Sequence, residues 1–136
     1  MMLKTFATAA ALLAASAAGA QAPAASPGAA CPAGTRYTTI RHSKVKPGRW
    51  AAFEKAVAAH NAWYADRDNE TRTGVARVLT PPPGAPSLSA VEAVTITRYA
   101  STPAPAHDAA WSAFTDQYKA TSEIIDEARV CMPTQP

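Results

Sequence analysis

The sequence is poor in the residues that usually carry chemistry. Its 136 residues include two cysteines, three histidines and six glycines. Neither cysteine has a second Cys or a His at ligand spacing, which argues against a metal site. No G-x-S-x-G, H-E-x-x-H or C-x-x-C occurs, and no glycine-rich loop of the phosphate-cradling kind. Serine hydrolases, zincins, thiol oxidoreductases and P-loop enzymes therefore have no foothold here. Lys and Arg form no tract interleaved with aromatics, as a single-strand binder requires, and a formal net charge of +3 is mild for a nucleic-acid partner. Long apolar runs are missing too. The longest, Ala7 to Ala18, is rich in Ala, is interrupted only by Thr8 and Ser16, and falls short of the ~20 strongly apolar residues that span a bilayer.

That short run has another use. Lys4 precedes it as a positive n-region, and Ala18-Gly19-Ala20 follows as a small-x-small cleavage site. Residues 1–20 read as a signal peptide, with Gln21 as the mature start and a periplasmic or secreted destination. No stable membrane anchor is expected. Residues 21–30, all small or polar apart from proline, have nothing to bury and read as a flexible leader. One domain, residues 31–136, remains. Lys4 aside, twelve bases face ten acids, a net charge of +2.

The charges are uneven along the chain. Arg36, Arg41, Lys44, Lys46, Arg49 and Lys55 crowd the first third of the domain, whereas Asp108, Asp116, Glu123, Asp126 and Glu127 crowd its last expected helix. Two solvated faces would explain this, and so would complementary patches meeting across a two-fold axis.

Tyr37–Val45 is rich in Thr and β-branched residues and predicts a strand, broken by Lys46-Pro47-Gly48. A helix over Gly48–Asp66 follows from Trp50, Phe53, Val57 and Tyr64 on one 3.6-residue face, with Asn61 on that face and His60 on its flank. Thr71–Leu79 and Ala90–Tyr99 predict two more strands, separated by Pro81-Pro82-Pro83-Gly84. A second amphipathic helix is expected over Ala106–Ala128, with Trp111, Phe114, Tyr118 and Ile125 sharing a face and Ser101 or Thr102 as its cap. Arg129–Met132 is left as a short final strand.

The order is β-α-β-β-α-β, an α+β chain that packs two helices on one face of a sheet. In the split βαβ arrangement the first and last strands are antiparallel neighbours. Cys31 and Cys131 then fall beside one another. An even cysteine pair in an exported protein predicts a disulfide, and closing so long a loop is worth ~4–5 kcal/mol in the chain-entropy account.

The run from Tyr37 to Tyr64, with Val45-Lys46-Pro47-Gly48, Trp50, Phe53 and His60-Asn61-Ala62-Trp63-Tyr64, resembles the dimeric α+β barrel superfamily. This ferredoxin-like group includes antibiotic-biosynthesis-type monooxygenases. The resemblance implies a homodimer of paired sheets and a substrate site between sheet and helices. Haem-degrading members carry a ligating His on the second helix; Asp108–Ala128 has none, so neither haem nor any other cofactor is expected.

His60 and Asn61 are polar residues at an apolar helix face, and each is a structural hydrogen-bonding group or a pocket wall. Tyr64, Trp111 and Tyr118 lie on core faces and are either packing or ligand contacts. Arg41 and Arg98 stand in strands, where a charge is paired or holds an anionic group. Asp66 to Glu70 resembles a calcium loop only superficially, lacking its sixth-position Gly and late Glu. Two functions are expected to compete. One is binding of a small apolar or aromatic molecule, or of a partner protein, without chemistry; the other is cofactor-independent, monooxygenase-like catalysis. A cavity lined by His60, Asn61 and Arg41 or Arg98 would favour the enzyme, and a core closed by aromatics an interaction role.

Overall fold

The structure, a computed structural model, describes residues 31–80 and 85–134. The expected signal segment, the leader and the Pro81–Gly84 turn lie outside the described residues. The elements run β1 (Thr35–Val45), α1 (Trp50–Ala65), β2 (Arg72–Leu79), β3 (Leu88–Arg98), α2 (Ala109–Thr121) and β4 (Ser122–Pro133). The four strands form one antiparallel sheet in the order β2-β3-β1-β4, the ferredoxin-like topology expected from the element order.

Gly48 makes the entry to α1. It sits at φ +70°, a left-handed conformation that only glycine adopts without strain. Directly after it, Phe53 and Val57 of α1 bury against Val45 of β1 and Ala93 of β3. Val45 and Ala93 lie on the helix-covered side. Alternation along β1 and β3 then puts Arg41, Ser43, Thr95 and Thr97 on that side as well.

The second half of the chain departs from expectation. α2 ends at Thr121, not Ala128, and the final strand is twelve residues long rather than four. Glu123, Ile125, Asp126 and Glu127 are therefore strand residues, and three of the five clustered acids belong to β4, while Asp108 and Asp116 stay with α2. The physical reason is pairing. Ser122 to Pro133 ladders against the whole of β1, from Val45 back to Thr35, with one bulge opposite His42 and Ser43. That ladder outweighs the helix propensity of Glu and Ala. Thr121 and Ser122 turn the helix off by bonding their hydroxyls back to the carbonyls of Gln117 and Tyr118. Lys46 Nζ donates to the carbonyls of Lys119 and Ala120, closing the helix C-terminus with a cation where the dipole favours one.

The start of α2 also differs. Asp108, rather than Ser101 or Thr102, is its N-cap, accepting from the Trp111 backbone N–H. The same carboxylate accepts from Trp63 Nε1 at 2.9 Å and pairs with Arg67. Those bonds hold its pKa down to about 2 and fasten the start of α2 to the end of α1.

Cys31 and Cys131 form the expected disulfide, with Cα atoms 5.5 Å apart, tying the chain ahead of β1 to β4. Among the described residues no helix is long and apolar enough to cross a membrane.

Candidate functional site

A cavity of about 540 Å³ opens between the sheet and the helices. Its two walls differ in chemistry. Ser43, Thr73, Thr95 and Thr97 give the sheet side hydroxyls, whereas Phe53, Trp111, Phe114 and Tyr118 give the helix side rings. Such a volume, mostly apolar with a few convergent polar groups, is typical of small-molecule sites.

The walls differ because the two helices seat differently. α2 packs on α1, and the described contacts tie it only weakly to the sheet. Trp111 and Phe114 pack into the α1 rings instead: Trp63 meets Trp111 edge-on at 4.7 Å, and His60 stacks on Phe114 at 4.7 Å. The hydroxyl-bearing centre of the sheet consequently has open space above it rather than a packed side chain.

His60 is the polar centre of the cavity. It is buried, with Thr73 Oγ1 at 3.2 Å and the Tyr118 hydroxyl at 3.4 Å from its Nδ1. Thr73 Oγ1 continues to Thr97 Oγ1 at 2.9 Å, so a hydrogen-bonded chain runs from β3 through Thr73 and the His60 imidazole to Tyr118 of α2. Burial, helped by the nearby Arg41 charge, lowers the His60 pKa from 6.5 to about 4. The imidazole is neutral at physiological pH. Burial likewise raises the Tyr118 phenol well above its usual range, so it stays a neutral hydroxyl.

Arg41 brings the charge. Its Nε donates to Glu127 Oε2 at 2.6 Å, and Glu127 Oε1 accepts from Arg129 at 2.8 Å. These bonds, that of Arg41 first, hold the Glu127 carboxyl below its usual pKa. Among the described residues the two Nη groups of Arg41 donate to nothing, and the residue lines the cavity.

The structure thus brings together His60, Arg41, Trp111 and Tyr118 of the residues singled out in the sequence. The other three lie elsewhere. Asn61 clamps β2: its Nδ2 donates to the Thr73 carbonyl at 2.9 Å, and its Oδ1 accepts from the Thr73 N–H at 2.8 Å. Tyr64 is buried with Trp63 and Phe114, its phenol pushed up to about 12 chiefly by burial. Arg98 pairs in register with Thr38 and Arg72 and, by alternation from Thr97, faces the far side of the sheet. The helix phase of α1 is also rotated from the expected one. His60 is buried and Asn61 only half-buried. Sequence reasoning missed the hydroxyl wall, although one signal was present: Thr at 73, 95 and 97 on strand faces where Val or Ile would fill a core.

Comparison with family models, with curated proteins and with solved structures returns no match to this chain.

Proposed function

We propose that this is an exported protein that binds a small aromatic or apolar molecule in the cavity between its sheet and its helices. The observation that carries this is the cavity itself, with rings on one wall and hydroxyls on the other. A core closed by aromatics would have favoured a partner-binding role; an open space of this size favours a ligand. Its groups suit binding better than proton transfer. General acid–base catalysis works best with a pKa near the working pH. His60 titrates well below that range and Tyr118 well above it.

Titration with N-phenyl-1-naphthylamine, a neutral fluorescent probe, tests the reading. Saturable binding is expected in the parent protein. Thr95→Phe, which fills the cavity from the sheet side, is expected to abolish it with the melting temperature unchanged. Equal probe binding in both proteins, or none in the parent, would overturn the proposal. Cofactor-independent catalysis is the second reading, favoured by the presence of both His60 and Arg41 at the cavity. Oxygen consumption on adding a phenolic substrate, lost in His60→Gln, would support it.

We also read the chain as akin to the dimeric α+β barrel superfamily and acting as a homodimer. Ile40, Val94, Ile96 and Val130 alternate onto the far face of the sheet, where they stay half-exposed. A contiguous apolar face of that kind usually meets a partner, and a two-fold copy supplies one. Light scattering is expected to report a dimer at micromolar concentration and a monomer for Ile96→Glu; a monomeric parent would defeat this. The Cys31–Cys131 bridge agrees with export, because disulfides persist in oxidising compartments.

A further inference from the structure

We propose that the cavity takes a planar aromatic carboxylate, its acid group held by the Nη fork of Arg41 and its ring lying against Trp111, Phe114 and Tyr118. This rests on the reading of the cavity as a small-molecule site and adds the chemical class of its occupant. The first argument is how Arg41 is used. Structural Arg–carboxylate pairs are frequently bidentate, two parallel N–H groups on two oxygens. Here Glu127 takes only the Nε, and its second oxygen goes to Arg129. The two-pronged end of a cavity-lining guanidinium is left without a partner among the described residues.

The second argument is local charge. Arg41 and Arg129 share one carboxylate, Glu127, so the group carries one positive charge in excess. Lys119, at the cavity edge, is matched by Asp116 at 3.2 Å. Glu123 also borders the cavity, but it stands opposite Lys44 in the ladder, so alternation turns its carboxylate to the far face. One excess positive charge suits a singly charged anion; a phosphate, which is more highly charged, would bring more than the site neutralises. The Arg41 charge is also felt in the cavity wall, at His60 and Tyr118 alike.

The third argument is shape. A guanidinium on the sheet and rings on α2 line one cavity, whose volume of about 540 Å³ accommodates one or two fused rings. Between them Ser43, Thr95 and Thr97 offer hydroxyls to ring substituents.

Calorimetric titration of the full chain with a matched series tests this: 2-naphthoate, 2-naphthamide and 2-naphthyl phosphate. The expected result is 2-naphthoate binding about 10-fold or more tighter than 2-naphthamide, since a charge-assisted bond is lost in the amide. Arg41→Gln is expected to remove that preference by bringing 2-naphthoate affinity down about 10-fold to that of 2-naphthamide, and Arg41→Lys to restore part of it. Should Arg41→Gln fail to fold, the ratio in the parent protein decides by itself. Equal affinity for acid and amide would overturn the carboxylate assignment while leaving the cavity reading intact. Tightest binding of the phosphate would overturn the charge argument. Failure of all three ligands to bind would overturn both.

Discussion

The two helices both carry aromatic stripes, yet they meet the rest of the molecule in different ways. α1 follows a tight glycine turn from β1, and its Phe53 and Val57 land on the small or branched side chains Ala93 and Val45. It then clamps β2 through both polar atoms of the Asn61 amide. α2 buries only Phe114 and Thr121. It meets α1 ring against ring and is held at its two ends, by Asp108 at the start and by Lys46 at the finish. The bulk of those rings, wedged between the helices, keeps α2 from settling onto the sheet. One helix seats on the sheet, the other packs on the first helix, and both line the cavity.

Substitutions that treat the two helices differently test this contrast most directly. Phe53→Ala removes a ring that is 1% exposed and should cost ~3–5 kcal/mol in urea denaturation. Trp111→Ala removes a larger but half-buried ring that borders empty space, and should cost no more than about 2 kcal/mol. Equal losses would mean that α2 is as much a part of the core as α1.

His60 and pH come next. The folded protein keeps this imidazole neutral down to about pH 4, whereas the unfolded chain protonates it near 6.5. Between those values the unfolded state holds the extra proton, so stability falls as pH drops from 6.5 to 4, by on the order of 3 kcal/mol. Denaturation series at stepped pH should show that slope, and His60→Gln should flatten it. An unchanged slope in the variant would place the burial elsewhere.

Asn61→Leu is expected to cost ~1–3 kcal/mol, because both backbone groups of Thr73 lose their partner. Probe binding in the cavity should survive, since Asn61 does not border it. Loss of binding without loss of stability would restore Asn61 to the site.

The smallest effect expected is at Asp108, which is exposed yet held to about pKa 2 by the Trp111 N–H, Trp63 and Arg67. Its charged form is the one the fold favours. The contribution is present above about pH 4 and fades as pH falls toward 2. Tryptophan fluorescence, sensitive to Trp63 and Trp111, should report this step below the His60 window, and Asp108→Asn should erase it. A step that persists in the variant would assign the fastening of α2 to another group.

Much of this molecule is legible in its sequence. The runs of Thr, Val and Ile mark β1, β2 and β3 to within two residues at each end, because β-branched residues bounded by Pro and Gly have few other uses. The aromatic spacing finds α1, and two cysteines at the ends of a βαββαβ chain find the disulfide. At Ser122 the same reasoning stops working. Glu123, Ala128 and the phase of Ile125 continue a helical pattern, and nothing local says that this segment pairs with β1 over its whole length. Only the partner strand holds that information.

The candidate site divides along the same line. Residue types alone singled out His60, Arg41, Trp111 and Tyr118, since a polar or charged side chain in an apolar element demands a partner. Which of them converge depends on the rotation of α1 about its own axis, which sets His60 inward and Asn61 toward β2. Convergence depends also on how far α2 stands from the sheet, and that distance comes from ring packing between helices 45 or more residues apart in the chain. Local propensity and periodicity are short-range and were enough for β1, α1, β2, β3, the element order and the disulfide; the cavity is a gap between elements, and only their packing in three dimensions decides where a gap is left.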